Sequence, residues 1–326
     1  MSTNFLTLRS LRSLRSNVCL FVLLLGFVPS YAFAQQTHVL VVVGVPGDEE
    51  HAANFQKWAA SFIDAAKKKE SVPDANITLL ADRKATREGV TQAFADLARR
   101  SKPSDTVFVL LIGHGSFDGT SAAFNLPGPD LTAADYAKLL GTLTSTHVVF
   151  VDTSSSSGAF LPAVSAPGRV VVTATKTGGE RNETMFPEFF IAAFGDDAAD
   201  RDRNGHVSVF EAFEYAKAKV AEAFQQKGYI LTEHATLDEG GLPSLAAQAF
   251  LGTGRSDITA KVDMSDPAMR ALVEERDRLE QEIAALRLLK ASMDPAQYDA
   301  QMETLLTDMA LKTKAIRDLQ AKKDKP

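Results

Sequence analysis

Apolar residues run without a break at 39–45, 107–112 and 148–151 and nearly so at 169–174, and a shorter stretch, Ile-Thr-Leu-Leu, stands at 77–80. None of these runs shows the apolar–polar alternation of a half-exposed strand. Such runs are buried on both faces, as strands of a parallel sheet are. Between them the apolar positions fall three and four apart. Phe55, Trp58, Phe62 and Ile63 do so within 51–69, Val90, Phe94 and Leu97 within 86–100, and a further helix fits 133–140. That spacing puts them on one stripe of an amphipathic helix. Strands alternating with helices predict an α/β domain over 35–260, with a mostly parallel sheet between two helical layers.

The pattern changes after Gly241 and again at Asp266. Leu272, Leu279, Leu286 and Met293 recur every seven residues, with Ile283 in the intervening series. Met293-Asp294-Pro295 breaks the run, and Tyr298, Met302, Leu305, Met309, Ile316 and Leu319 continue it at spacings of four and three. Two heptad runs around a proline turn predict an antiparallel, coiled-coil-like helical hairpin over 265–323. Arg276, Lys290 and Lys312 interrupt its seam. The pattern fits a flap on the main domain and equally an arm for self-association or docking.

The first 34 residues read as a signal peptide. Arg9, Arg12 and Arg15 form a basic segment, 18–28 is apolar, and Ala32-Phe33-Ala34 is a small-x-small cleavage site. The apolar stretch is short for a bilayer, so the expectation is cleavage and export to the periplasm or medium with no permanent membrane span. Cleavage after Ala34 takes Lys+Arg from 35 to 32 against 41 Asp+Glu, and the net charge from −6 to −9. An acidic chain without a basic stripe argues against nucleic acid as a partner. Cys19, in the signal segment, is the single cysteine. The mature chain therefore has no disulfide, no thiolate nucleophile and no cysteine metal site.

Two of the strand runs end in small polar residues: Val-Leu-Leu-Ile-Gly-His-Gly at 109–115, and Val-Val-Phe-Val-Asp-Thr-Ser-Ser-Ser-Ser-Gly at 148–158. In open α/β sheets ligands bind beyond the carboxyl ends of such strands. The pair resembles the motifs of clan CD cysteine peptidases (caspases, legumains and gingipains), most closely the bacterial legumain-like branch. The resemblance spans roughly 37–241 and implies a caspase-like fold. It implies a dyad of His114 with a nucleophile in the second block, and an oxyanion-stabilising amide at Gly115. Aligned on Ser157-Gly158, the nucleophile position is Ser155; aligned on Asp152, it is Ser154. The family's cysteine is replaced by serine in either alignment. A hydroxyl needs a base in direct contact, whereas in this family the histidine sits back from the nucleophile. Asp152 and Asp118 are candidates to orient His114. The charged loop 176–184, with Glu180, Arg181 and Glu183, would lie beside the cleft, as a substrate-side pocket or as solvated charge.

A second motif is independent of the first. Asp200-Arg201-Asp202-Arg203-Asn204-Gly205-His206-Val207-Ser208-Val209-Phe210-Glu211 matches the twelve-residue calcium loop at every fixed position. Asp200, Asp202 and Asn204 offer side-chain oxygens, Gly205 takes the turn, and His206 gives its carbonyl. Ser208 offers a hydroxyl or holds a water, and Glu211 closes the site with both oxygens. Helices at 188–194 and 209–224 would flank it. The other histidines, His38, His51, His147 and His234, are scattered and read as surface or packing residues.

The expectation is an exported caspase- or legumain-fold pseudo-peptidase that binds Ca2+ and a protein or peptide partner, with the hairpin as an interaction element. The alternative is an active hydrolase using a Ser155/His114 dyad. A third possibility is a scaffold in which the calcium loop is the working part.

Overall fold

A strand buried at all seven positions, β1 (Thr37–Val43), opens the α/β domain. The computed structural model describes residues 35–180, 182–242, 244–252, 266–288, 290 and 293–323. The expected signal segment lies outside them. The chain continues through α1 (Glu49–Lys68), β2 (Ile77–Leu80), α2 (Arg87–Arg100) and β3 (Thr106–Ile112). Three short strands follow, β4 (Gly115–Phe117), β5 (Ala122–Phe124) and β6 (Leu131–Thr132), and then α3 (Ala133–Leu140) and β7 (His147–Asp152). The remainder is α4 (Leu161–Val164), β8 (Arg169–Thr173), α5 (Phe186–Ala193), α6 (Val209–Gln226), β9 (Thr236–Asp238), α7 (Leu245–Gln248), α8 (Pro267–Leu288) and α9 (Pro295–Lys323). Side-chain caps fix several helix starts. Asp48 accepts from the amide of His51, Thr86 from that of Gly89, and capping boxes join Thr132 to Asp135 and Ser208 to Glu211.

The main sheet has the order β2-β1-β3-β7-β8-β9, parallel from β2 to β8 and antiparallel at β9. Both of its faces are covered, which is why the strands read as unbroken apolar runs. Val39, Val41, Phe108 and Leu110 meet Phe62 of α1, Phe190 of α5 and Phe213 of α6 on one side. Leu40, Val42, Val109, Leu111 and Phe150 meet Phe94 of α2 and Tyr136 of α3 on the other. Each fully buried Phe among them contributes roughly 1.5–3 kcal/mol relative to exposure. The result is a three-layer α/β sandwich with a mostly parallel six-stranded sheet.

Two elements depart from the sequence expectation. β4, β5 and β6 form a separate antiparallel sheet directly after His114. β9 lines the outer edge of β8. All four strands have two or three residues, too few for a period to register. In the C-terminal region, Met269 and Val273 of α8 pack with Ile316 of α9, and Leu279 and Ile283 with Met309. Arg276, expected to interrupt the seam, is buried there and lies 3.5 Å from Glu280. No described helix is long and apolar enough to cross a membrane.

Candidate functional site

The register of the central strands brings the two motif loops together. Leu111 of β3 stands beside Asp152 of β7, so His114 and Ser155, each three residues further on, leave the sheet side by side. They line one small pocket with Phe55, Trp58, Gly113, Thr153, Glu183 and Thr184. The pocket holds about 20 Å³, room for about one water molecule. A wider groove of about 800 Å³ adjoins it, sharing Trp58, Glu183 and Thr184 and continuing along Glu188, Tyr229 and Ile230.

His114 is positioned by backbone and rings. Its Nε2 lies 3.0 Å from the carbonyl of Pro46. A carbonyl can only accept, so Nε2 carries the proton and a neutral ring leaves Nδ1 as the basic nitrogen. The ring also packs on Phe55 and His51, with centroids 5.3 and 4.7 Å away. The aspartates expected to orient it do not. Asp118 accepts the amides of Thr120 and Ser121 in its own turn, and Asp152 accepts the amide of Ser154. Instead His51, read from sequence as a surface or packing residue, belongs to the site. Its Nδ1 lies 2.7 Å from Asp48 and its Nε2 2.9 Å from Glu183. The Asp48 hydrogen bond, with the Glu183 charge behind it, raises the affinity of His51 for its proton. Glu183 is thus fixed against a histidine, while Glu180 accepts the amide of His234. Arg181 lies outside the described residues. The i, i+3 spacing of Asp48 and His51 was the signal available in the sequence, but Asp48 is also a helix cap, and a cap alone implies no site.

The serine run divides between two environments. Ser155 is half-buried and lines the pocket; its hydroxyl has no hydrogen-bond partner among the described residues, and its carbonyl accepts from Thr175. Ser154 and Ser156 are buried beneath Gly115, their hydroxyls 3.4 Å apart. A Cβ at Gly115 would stand 2.1 Å from Ser156 Oγ and 2.6 Å from Ser154 Oγ. The absence of a side chain at Gly115 therefore lets β4 lie on the serine loop. Ser157 and the amide of Gly158 are tied to the Thr175 hydroxyl. Below the loop Asp152 is fully buried, with Oδ2 unpartnered, and burial pushes its carboxyl up to about 6.

The 200–211 loop forms the second cluster. Carboxylate oxygens of Asp200, Asp202 and Glu211 lie within 4.8 Å of one another. Gly205 takes the turn at φ +92°, a conformation that favours glycine. Val207 packs into the core under the loop. Asn204 Oδ1 accepts the amide of His206, and Ser208 caps α6. The His206 ring lies 2.7 Å from Glu70, which ties the loop to the end of α1. Burial, and then the charge of Glu211, pushes the Asp202 carboxyl well above the usual carboxylate range. An all-oxygen, acid-rich donor set fits a hard divalent cation such as calcium. The preceding helix, α5, ends at Ala193 and not at 194, leaving an irregular segment before Asp200. At the end of the loop Ser208 pairs with Phe250 in a β-bridge, and the Val209 amide donates to the Ala249 carbonyl.

No family model matches the chain, and no curated protein matches it in sequence. Among solved structures, the crystal structure of protein GSU0716 from Geobacter sulfurreducens is similar over 62% of this chain and 92% of that one, at 12% identity and a TM-score of 0.42.

Proposed function

We propose that this chain is an exported, caspase-fold pseudo-peptidase that binds a protein or peptide partner at the His114 cleft without cutting it, and that carries calcium in the 200–211 loop. One observation carries the first half: the Ser155 hydroxyl shares a pocket with His114 but has no hydrogen bond to it. A serine hydroxyl without an abutting base is a poor nucleophile at neutral pH. The adjoining groove supports binding, because Tyr229 and Ile230 stand exposed along it beside Glu183 and Glu188. Calcium is supported by the convergence of Asp200, Asp202 and Glu211, with Asn204, His206 and Ser208 as the further ligands that the motif assigns. The C-terminal helices, read as an antiparallel hairpin, serve as the docking or self-association element.

The alternative is a hydrolase using Ser155 and His114, and it is favoured by their placement in one pocket. A fluorophosphonate probe separates the two. The pseudo-peptidase reading expects no labelling of the mature protein and no hydrolysis of short peptides. Labelling abolished by Ser155→Ala, together with turnover, establishes the hydrolase.

A further inference from the structure

The acidic loop is not left to solvent: a cation from the C-terminal helices is seated on it. Arg287, near the end of α8, places Nη2 3.4 Å from Glu211 Oε1 and 3.9 Å from Asp202 Oδ2. It is only 11% exposed, against 0% for Glu211 and 5% for Asp202. Its guanidinium lies over the Phe210 ring, 5.4 Å from the centroid, so an aromatic face holds it from the other side. Among the described residues, Arg287 is the one basic side chain within 4.0 Å of these two carboxylates. One helical stretch earlier, Glu280 accepts from the Asn204 side chain at 3.3 Å. Arg317 of α9 lines a cleft of about 430 Å³ with Asp200 and Gly205. Both C-terminal helices therefore close on the loop.

We propose that Arg287 is a tethered counter-cation of the loop. A divalent metal and the guanidinium compete for the same oxygens, so metal binding unseats this end of α8. The inference rests on the metal reading of the loop given above. Closure of a calcium site takes both oxygens of the last glutamate. Glu211 Oε2 already accepts the amide and hydroxyl of Ser208, and Oε1 accepts the amides of Arg201 and Asp202 as well as Arg287. The amides are part of the loop and can turn with it. Arg287 arrives from 76 residues away and brings a charge of the same sign as the metal's. The coupling is reciprocal by thermodynamic necessity: whatever metal does to the seating of Arg287, that seating does to metal affinity. The loop thereby becomes a sensor whose output is the position of the C-terminal helices.

The test is calorimetric titration of calcium chloride into the mature full-length protein, wild type against Arg287→Gln, with Glu211→Gln as control. Arg287→Gln should bind calcium at least about fivefold more tightly, the lower end of ordinary coupling, and the control should lose binding. Hydrogen exchange on the wild type alone gives a second readout that needs no variant. Calcium should accelerate exchange within 280–288. Equal or weaker affinity in Arg287→Gln, or unchanged or increased protection of 280–288, overturns the exchange of cations while leaving the metal site standing. No calcium heat in either protein overturns both readings.

Discussion

The rings of His51 and His114 meet edge to face, with centroids 4.7 Å apart. The proton affinity of His51 is raised. Asp48 and Glu183 hold its two nitrogens, and their hydrogen bonds and charges favour its protonated form. His51 should titrate above its ordinary 6.5, and Asp48→Asn should bring it back down, as followed by the ring C–H shifts in NMR. The stability it adds is full below pH 6.5 and is lost as pH rises through the folded-state value.

Gly115 should not tolerate a side chain. The methyl of Gly115→Ala would land within 2.1 Å of Ser156 Oγ and 2.6 Å of Ser154 Oγ. Overpacking of this kind costs roughly 1–3 kcal/mol. Denaturant unfolding should show that loss, and adding Ser154→Gly and Ser156→Gly should recover part of it.

Asp152 makes the fold weaker towards neutral pH. Its carboxyl is near 6 in the folded chain against 3.8 unfolded. The unfolded state therefore releases the proton first, and stability falls as pH rises from about 4 to about 6. That difference corresponds to ~3 kcal/mol. Glu233, pushed up to about 7 by burial while accepting the amides of Met185 and Phe186, acts in the same direction. Asp152→Asn keeps an acceptor for the Ser154 amide. It should melt above wild type at pH 7.5 and lose that advantage at pH 4.

Calcium should raise the melting temperature, because a ligand bound by the folded state alone stabilises it by about 2.7 kcal/mol at a hundredfold excess over Kd. Glu211→Gln should remove most of the shift. Scanning calorimetry of metal-stripped protein with and without calcium decides it, and an unchanged midpoint in wild type means that the loop is an empty turn.

The central strands were legible because burial on both faces leaves no polar position. Val39 and Leu40 face opposite layers, and each finds a core. The neighbouring placement of His114 and Ser155 was likewise implied by strand order. What escaped was short or distant. Thr236–Asp238 is a strand only because β8 offers it an edge. His51 gains its meaning from Glu183, 132 positions along the chain and unreadable as its partner from spacing. Arg287 sits in a charged helix where nothing local separates it from the arginines that face water.

β1 lies between β2 and β3 in the sheet, and its register with β3 joins Thr37 to Thr106 and Val43 to Ile112. During translation at roughly 10 residues per second, the first strand emerges several seconds before the partner on that side exists. Until then β1 has only β2 for a neighbour, pairing Val39–Val42 with Ile77–Leu80 along its other edge. A ribosome stalled between Leu80 and Thr106 carries a two-stranded fragment with one apolar edge open, the kind of surface a chaperone covers until synthesis passes β3.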